Sequence, residues 1–454
     1  MRKNKRSANR LTRRDFLRMS AGGLGAGVLA GPLGSYTPWL RAFHQEEGPQ
    51  NVTGRVSVWG FIGTAEPYQA ATERLEAQYP GLEVDTTQFG YQDSHTNILN
   101  ALTSGIGVPD VVNFDVDYVG DFAAGMIDLS ERFAPYEDQF VPIAVQLARS
   151  SDGKLLGLPQ DNEPMGFAYR ADIFEQYGIT EDDLATWEGF VEAGRKLWTD
   201  SGETIKMMSM DAPGSQMPIQ GVPHQIHEVF FHLAGYHGVF FNREDDKVII
   251  DEPDAVAAIE VFKTIVDPEV AYISQTPESS IAAFNAGLIA TNICPAWWQF
   301  GLRLFLPDTS GLWRVMRLPA LQEGGLRAAF QIPTVTGIPQ LSTNPDGAWG
   351  VLYECNLTLE AQQRFYDVTG ILPTHKDVVA ALEEQEIEFF GGQKVYKLLG
   401  EILADIPEVW FGRGWVEARN ILTIGIEPIM RGEIPVEDGL HNSAEEMRRR
   451  LNKG

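Results

Sequence analysis

Two indoles stand side by side at Trp297 and Trp298, directly after the run IATNICPA, and Gln299 follows them. An indole offers a flat, stiff, apolar face and one N–H, which suits stacking on a sugar ring or a base. Neighbouring residues on a tight bend do not easily both point inward, so one of the pair is expected to face a cleft. A second aromatic concentration is Trp410-Phe411-Gly412-Arg413-Gly414-Trp415, two tryptophans around a guanidinium in a glycine-softened loop. Its guanidinium offers a planar fork of donors to hydroxyls or to an anionic group, beside an aromatic face. Asp115, Asp117 and Tyr118 form a third group, just past the apolar run VVNF. Aromatic plates mixed with Asp, Asn, Gln and Arg suit a carbohydrate, whose ring has apolar C–H faces and a belt of hydroxyls. Each of these residues also has a structural alternative: an indole in the core, or an aspartate capping a helix.

Other chemistries find less support. His224, His227, His232 and His237 are four of the eight histidines, and 227–231 reads HEVFF. A zincin needs HExxH with both imidazoles on one helix face; here the fifth residue is Phe231 and His232 arrives one place late. No G-x-S-x-G, P-loop or G-x-G-x-x-G after a strand is present. A glycosidase needs two carboxylates at a set separation, which cannot be read along a chain. Neither a metal nor a cofactor is expected.

The chain begins with a leader. Residues 1–18 carry eight Lys/Arg against one acid and include Thr12-Arg13-Arg14-Asp15-Phe16-Leu17, followed by a glycine-rich apolar stretch over 19–34. This order is that of a twin-arginine signal, assigned to residues 1–44, with a polar tether over 45–54. The apolar part is too short for a membrane span. Beyond residue 44 there are 27 Lys/Arg and 61 Asp/Glu, a net charge of −34. Such an acidic surface argues against nucleic acid or anionic membrane as partner. Cys294 and Cys355 are the only cysteines. Twin-arginine cargo folds in a reducing cytosol, so both are expected to be buried thiols rather than a disulfide.

The 454 residues allow two or three domains. Strands are expected at 55–59, 82–86 and 111–114, with helices at 67–78 and 95–104 between them, which is a parallel βαβ series. Over 281–301 a helix ends, Gly287 supplies a left-handed cap, and a buried strand at 288–294 stops at Pro295. Trp297 and Trp298 therefore fall just outside the carboxyl end of a strand, where ligands sit in open α/β sheets.

Seven segments occur in a telling order: VSVWG, HTNILNALTSGIGVPDVVNFDVDYVGDFAAGMIDLSERF, DGKLLGLPQDNEPMGFAYRADIFEQYGI, TWEGFVEAGRKL, AAFNAGLIATNICPAWW, DGAWGVLYEC and GILPTHKDV. Together they resemble the family-1 extracellular solute-binding proteins of ABC importers, a group that includes maltose- and other sugar-binding proteins. The resemblance implies an α/β fold, a two-lobed type II periplasmic-binding-protein-like clamshell with three inter-lobe crossings. Lobe one would be 55–160 plus 327–368, and lobe two 161–325 plus 370–454. It implies ligand contacts from Phe61 and Thr64 on the first-strand turn, from Phe114, Asp117 and Tyr118 after the third strand, and from Tyr91, Gln160 and Asp161. Trp297 matches a stacking tryptophan, and Trp298, Trp410 and Arg413 join the same set. Tyr118 stands where maltose-binding relatives carry a basic residue, so the same sugar is not implied. The implied role is non-catalytic: an extracytoplasmic monomer that captures a sugar or oligosaccharide between its lobes and passes it to permease subunits. Export by the twin-arginine route would place it in the periplasm or on the outer face of the cytoplasmic membrane. The alternatives are the same role for a polyamine or a glycerol-phosphate compound, or an exported glycosidase.

Overall fold

The computed structural model describes residues 49, 52–211, 229–236, 239–242, 244–274, 276–407 and 409–453. The leader at 1–44, most of the tether, and His224, His227 and His237 lie outside the described residues. Alternation of Val56 and Val58 with more exposed neighbours makes β1 (Gly54–Phe61) a strand with one face in the core. It pairs in parallel with β2 (Leu82–Phe89) on one side and β3 (Val111–Asp115) on the other. Every residue of β3 is buried, as expected for a strand covered on both faces. The short strands β4 (Leu158–Pro159) and β10 (Thr334–Gly337) complete this sheet, with β10 antiparallel to both β3 and β4. The order is β2-β1-β3-β10-β4.

A second sheet repeats the arrangement. Its strands are β5 (Met165–Arg170), β6 (Lys206–Asp211), β7 (Ala271–Ser274), β8 (Ile289–Pro295) and β9 (Trp313–Arg317), in the order β7-β6-β8-β5-β9. β6 runs parallel to β7 and β8, while β5 runs antiparallel to β8 and β9. The chain leaves the first sheet after Pro159, enters the second at Met165, and returns between Arg317 and Thr334.

Helices fill the connections. On the first sheet these include α1 (Glu66–Gln78), α2 (Tyr91–Ser104) and the single turn α3 (Val119–Phe122). α4 (Pro277–Asn285) opens on a capping box from Thr276 to Ser279 and leads into β8, and α5 (Trp298–Phe305) follows that strand. Gly287 takes the left-handed conformation at φ +70°, and Leu288 N–H closes onto Ala283 O at 3.0 Å, so the helix stops where its glycine indicated. α6 (Val395–Asp405) packs across β5 and β9. Two C-terminal helices, α7 (Trp415–Met430) and α8 (Val436–Leu451), pack on each other, and α7 also meets the turn around α3.

Three boundaries differ from expectation. α2 begins at Tyr91 rather than near His95, because the extended Gly90 starts the helix and Asp93 favours its first turn. Tyr91 is therefore a helix residue, not a loop residue. β1 runs on through Phe61, and Thr64 and Ala65 close a tight turn onto its carbonyl at 3.1 and 3.0 Å. The segment 410–415, read as a loop throughout, ends one residue earlier, since Trp415 is the first residue of α7. Cys294 and Cys355 are both buried and unpaired, as expected, and burial pushes both thiol pKa values up. Among the described residues no helix is long and apolar enough to cross a membrane.

Candidate functional site

The carboxyl end of β3 delivers Asp115, and a 3₁₀ turn (Val116–Tyr118) carries Asp117 and Tyr118 into α3. Asp117 is wholly buried. Arg419 of α7 reaches it from 302 positions along the chain, donating from Nη1 to Asp117 Oδ2 at 2.6 Å. The same guanidinium lies 5.9 Å from the Tyr118 ring centroid and 5.5 Å from that of Trp415. Asp117 Oδ1 is buried and accepts no hydrogen bond.

Beside it, Asp115 Oδ2 accepts the Tyr91 hydroxyl at 2.5 Å, and its Oδ1 accepts from Thr334 Oγ1 at 3.3 Å. The Thr334 N–H donates to Asp161 Oδ1 at 2.7 Å, so one threonine of β10 bridges two acids. The Asp115 N–H donates to His95 Nε2 at 3.2 Å, which leaves the ring proton on Nδ1, facing the Tyr91 carbonyl at 3.0 Å. His95 is thus a neutral imidazole. It stacks on Tyr118 with centroids 4.3 Å apart, and Phe61 packs on both His95 and Tyr91 at 5.3 and 5.2 Å.

Electrostatics follow from this burial. Desolvation pushes the carboxyls of Asp115, Asp117 and Asp161 up to about 7 and the His95 imidazole down to about 4. At Asp117 the guanidinium opposes the rise. Burial also works against the Arg419 cation, but Asp117 and the Tyr91 and Tyr118 phenols outweigh it and hold its pKa above the ordinary value. An acid whose pKa is raised on folding binds protons in the native state before it does so unfolded. Its contribution is full below pH about 4 and disappears as pH rises through about 7, whereas the lowered His95 contributes above its ordinary pKa and loses that as pH falls towards about 4. With three acids against one histidine, urea unfolding should show stability increasing as pH is lowered from about 8 to about 6. Stability flat or falling over that interval would show the three carboxyls to be hydrated.

The second aromatic group is set by the segments between the sheets. Trp297 is half-buried; its backbone N–H donates to Glu163 Oε2 at 3.1 Å and its indole Nε1 to Gln331 Oε1 at 2.5 Å. Trp298 turns inward, edge-on to Trp297 at 5.5 Å, and folds back over Gly301, where a Cβ would lie 2.3 Å from the ring. Thus one indole is interior and the other keeps an open face. In the third group Trp410 folds over Gly412, Phe411 meets Trp415 edge-on at 5.1 Å, and Arg413 is exposed. This loop lies hard against α3: a Cβ on Gly120 would come 2.7 Å from Gly412 C and Arg413 N, and Asp121 Oδ1 accepts the Gly414 N–H at 2.8 Å. Gly120→Ala should therefore cost about 1 kcal/mol and displace the loop, since backbone cannot yield as a side-chain tip can. An unchanged melting temperature would contradict that close approach.

The structure thus gathers Phe61, Tyr91, Asp117, Tyr118 and Asp161 around β3, with Trp297 in the turn between β8 and α5 and Trp410 on the loop before α7. Phe114 instead packs on Phe122 in the core, Thr64 closes its own turn, and Gln160 accepts from Asn113 Nδ2 and Thr336 Oγ1, both at 2.9 Å. His95, Glu163, Gln331, Thr334 and Arg419 were not foreseen as site residues. His95 carried a usable signal, four positions from Tyr91 on one helix face. So did Arg419, a single cation within the apolar period of WVEARNILTIG. His232 is buried against Phe330, and among the described residues no group of three or more metal-binding side chains occurs.

Comparison with known proteins places this geometry among others. Residues 70–388 match the family described as bacterial extracellular solute-binding protein. An arabinooligosaccharide-binding protein of Bacillus subtilis is 22% identical over 383 residues, covering 81% of this chain and 85% of that one. A lactose-binding protein of Rhizobium radiobacter is 25% identical over 410 residues, covering 85% and 90%. Among solved structures, the GacH receptor of Streptomyces glaucescens superposes with a TM-score of 0.71 at 18% identity, covering 87% of this chain and 98% of that one. A binding protein of B. animalis subsp. lactis, solved with beta-1,6-galactobiose, gives 0.72 at 19% identity, covering 87% and 97%. These similarities show a common type II periplasmic-binding fold.

Proposed function

Since the chain belongs to the bacterial extracellular solute-binding proteins, we propose that it is the substrate-binding component of an ABC importer, capturing a sugar or oligosaccharide and delivering it to permease subunits. The observation that carries this reading is Asp117 Oδ1, a wholly buried carboxylate oxygen without a hydrogen-bond partner, beside Tyr118 at a strand's carboxyl end. An acceptor so placed wants a donor such as a sugar hydroxyl, and leaving it unmet costs about 1–3 kcal/mol. The half-open face of Trp297 adds a plate for a sugar ring. Relatives named for arabinooligosaccharide and lactose support the same class of solute.

The lobes are 55–160 with 327–368 and 161–325 with 370–454, joined by three crossings that act as the hinge. Ligand shifts the lobes towards closure only by binding the closed form better than the open one. Residues 1–44 direct export by the twin-arginine route to the periplasm or the outer membrane face, where the protein works as a monomer. A thermal-shift screen of the mature protein against mono- and oligosaccharides tests the proposal, because a ligand that binds only the native state raises the melting point. A rise with a carbohydrate class is expected. Silence across the panel together with glycoside hydrolysis in a parallel assay would replace a binding protein by an enzyme.

A further inference from the structure

Around the end of β3 acidic groups outnumber basic ones. Asp115, Asp117 and Asp161 are at most 4% exposed, and Arg419 is the one cation hydrogen-bonded to any of them among the described residues. His95 adds no charge, since its Nε2 accepts the Asp115 N–H. Two carboxyls thus remain without a cationic partner in a site from which water is largely excluded. One buried oxygen there also lacks any hydrogen-bond partner, Asp117 Oδ1. It wants a donor. Buried charge is tolerated when it is paired, and an uncharged polyol supplies hydroxyl donors but no compensating charge.

We propose that the solute is a carbohydrate bearing a protonated amine, which donates to Asp117 Oδ1 with the charges of Asp115 and Asp161 behind it. The inference rests on the carbohydrate reading above and adds the charge of the ligand. An ammonium brings up to three donors and one positive charge, so it satisfies the orphaned acceptor and balances the acid excess in one group.

Isothermal titration of the full mature chain at about pH 7.5, where carboxyls with pKa values of about 7 are largely ionised and an amine is still protonated in good part, separates the possibilities. The probes are the glucosamine disaccharide, its N,N′-diacetyl counterpart and cellobiose, then galactosamine, N-acetylgalactosamine and galactose, and lastly spermidine. Within each sugar set the free amine should bind at least tenfold more tightly, and its advantage should shrink with added salt. Asp161→Asn keeps an oxygen to accept the Thr334 N–H while removing one charge, and should reduce the amine's advantage several-fold without loss of folding. Equal or tighter binding of the acetylated or neutral sugars overturns the amine and leaves the carbohydrate reading standing. Tight binding of spermidine with no sugar bound retains the ammonium but overturns the carbohydrate. No binding by any probe to a cooperatively melting protein overturns both.

Discussion

Arg419→Met should lower the free energy of unfolding by about 3–5 kcal/mol, because it strands the Asp117 carboxylate in an interior where, among the described residues, Arg419 is its one hydrogen-bonded guanidinium. The pair joins α7 to the turn after β3 at 2.6 Å, with side chains 8% and 0% exposed, so water cannot take over the lost partner. A surface pair of the same geometry would contribute at most about 1 kcal/mol. The double variant Asp117→Leu with Arg419→Met removes both charges and should regain most of the loss, since the cost lies in the unpaired ion rather than in the missing contact. Denaturant unfolding of the two single variants and the double variant gives the coupling directly. Additive losses, or a single-variant cost below about 1 kcal/mol, would mean that the pair is hydrated in solution.

Trp297→Ala should weaken solute binding by about 1–3 kcal/mol, roughly 5- to 150-fold in Kd. Its effect on the melting temperature should be small, because the side chain is half-buried and its indole N–H is held by one surface-accessible amide, that of Gln331. Trp298→Ala should behave in reverse. That indole is 5% exposed and packs over Gly301, so its removal opens a cavity worth about 3–5 kcal/mol of stability. Affinity that follows Trp298 rather than Trp297 would exchange the roles of the two rings.

The parts legible along the chain were those governed by local periodicity and punctuation. Val56 and Val58 mark β1 by alternation, Gly287 marks the end of α4 by its handedness, and Pro295 marks the last residue of β8. β10 was not legible, because the four residues Thr334–Gly337 are too few to show a period of their own and form a strand only by pairing with β3 and β4. The site divides in the same way. Asp117 and Tyr118 were legible at a strand's carboxyl end, because an apolar run precedes them. Their partner was not, because nothing local to Arg419 records a carboxylate three hundred positions earlier. Phe114 misled for a related reason: a one-residue alternation decides whether a ring at a strand end meets the cleft or, as here, Phe122.

The two thiols have a practical side. Cys294 and Cys355 lie inside the fold with protonation favoured by burial, and the thiolate is the form that attacks alkylating dyes. A cysteine introduced on the surface would be the one reactive thiol of the native protein, with no need to remove the others. Placed near the rim beside Trp297 and carrying an environment-sensitive fluorophore, it would turn the chain into a reagentless optical sensor, in which capture of the solute is read as a change in emission.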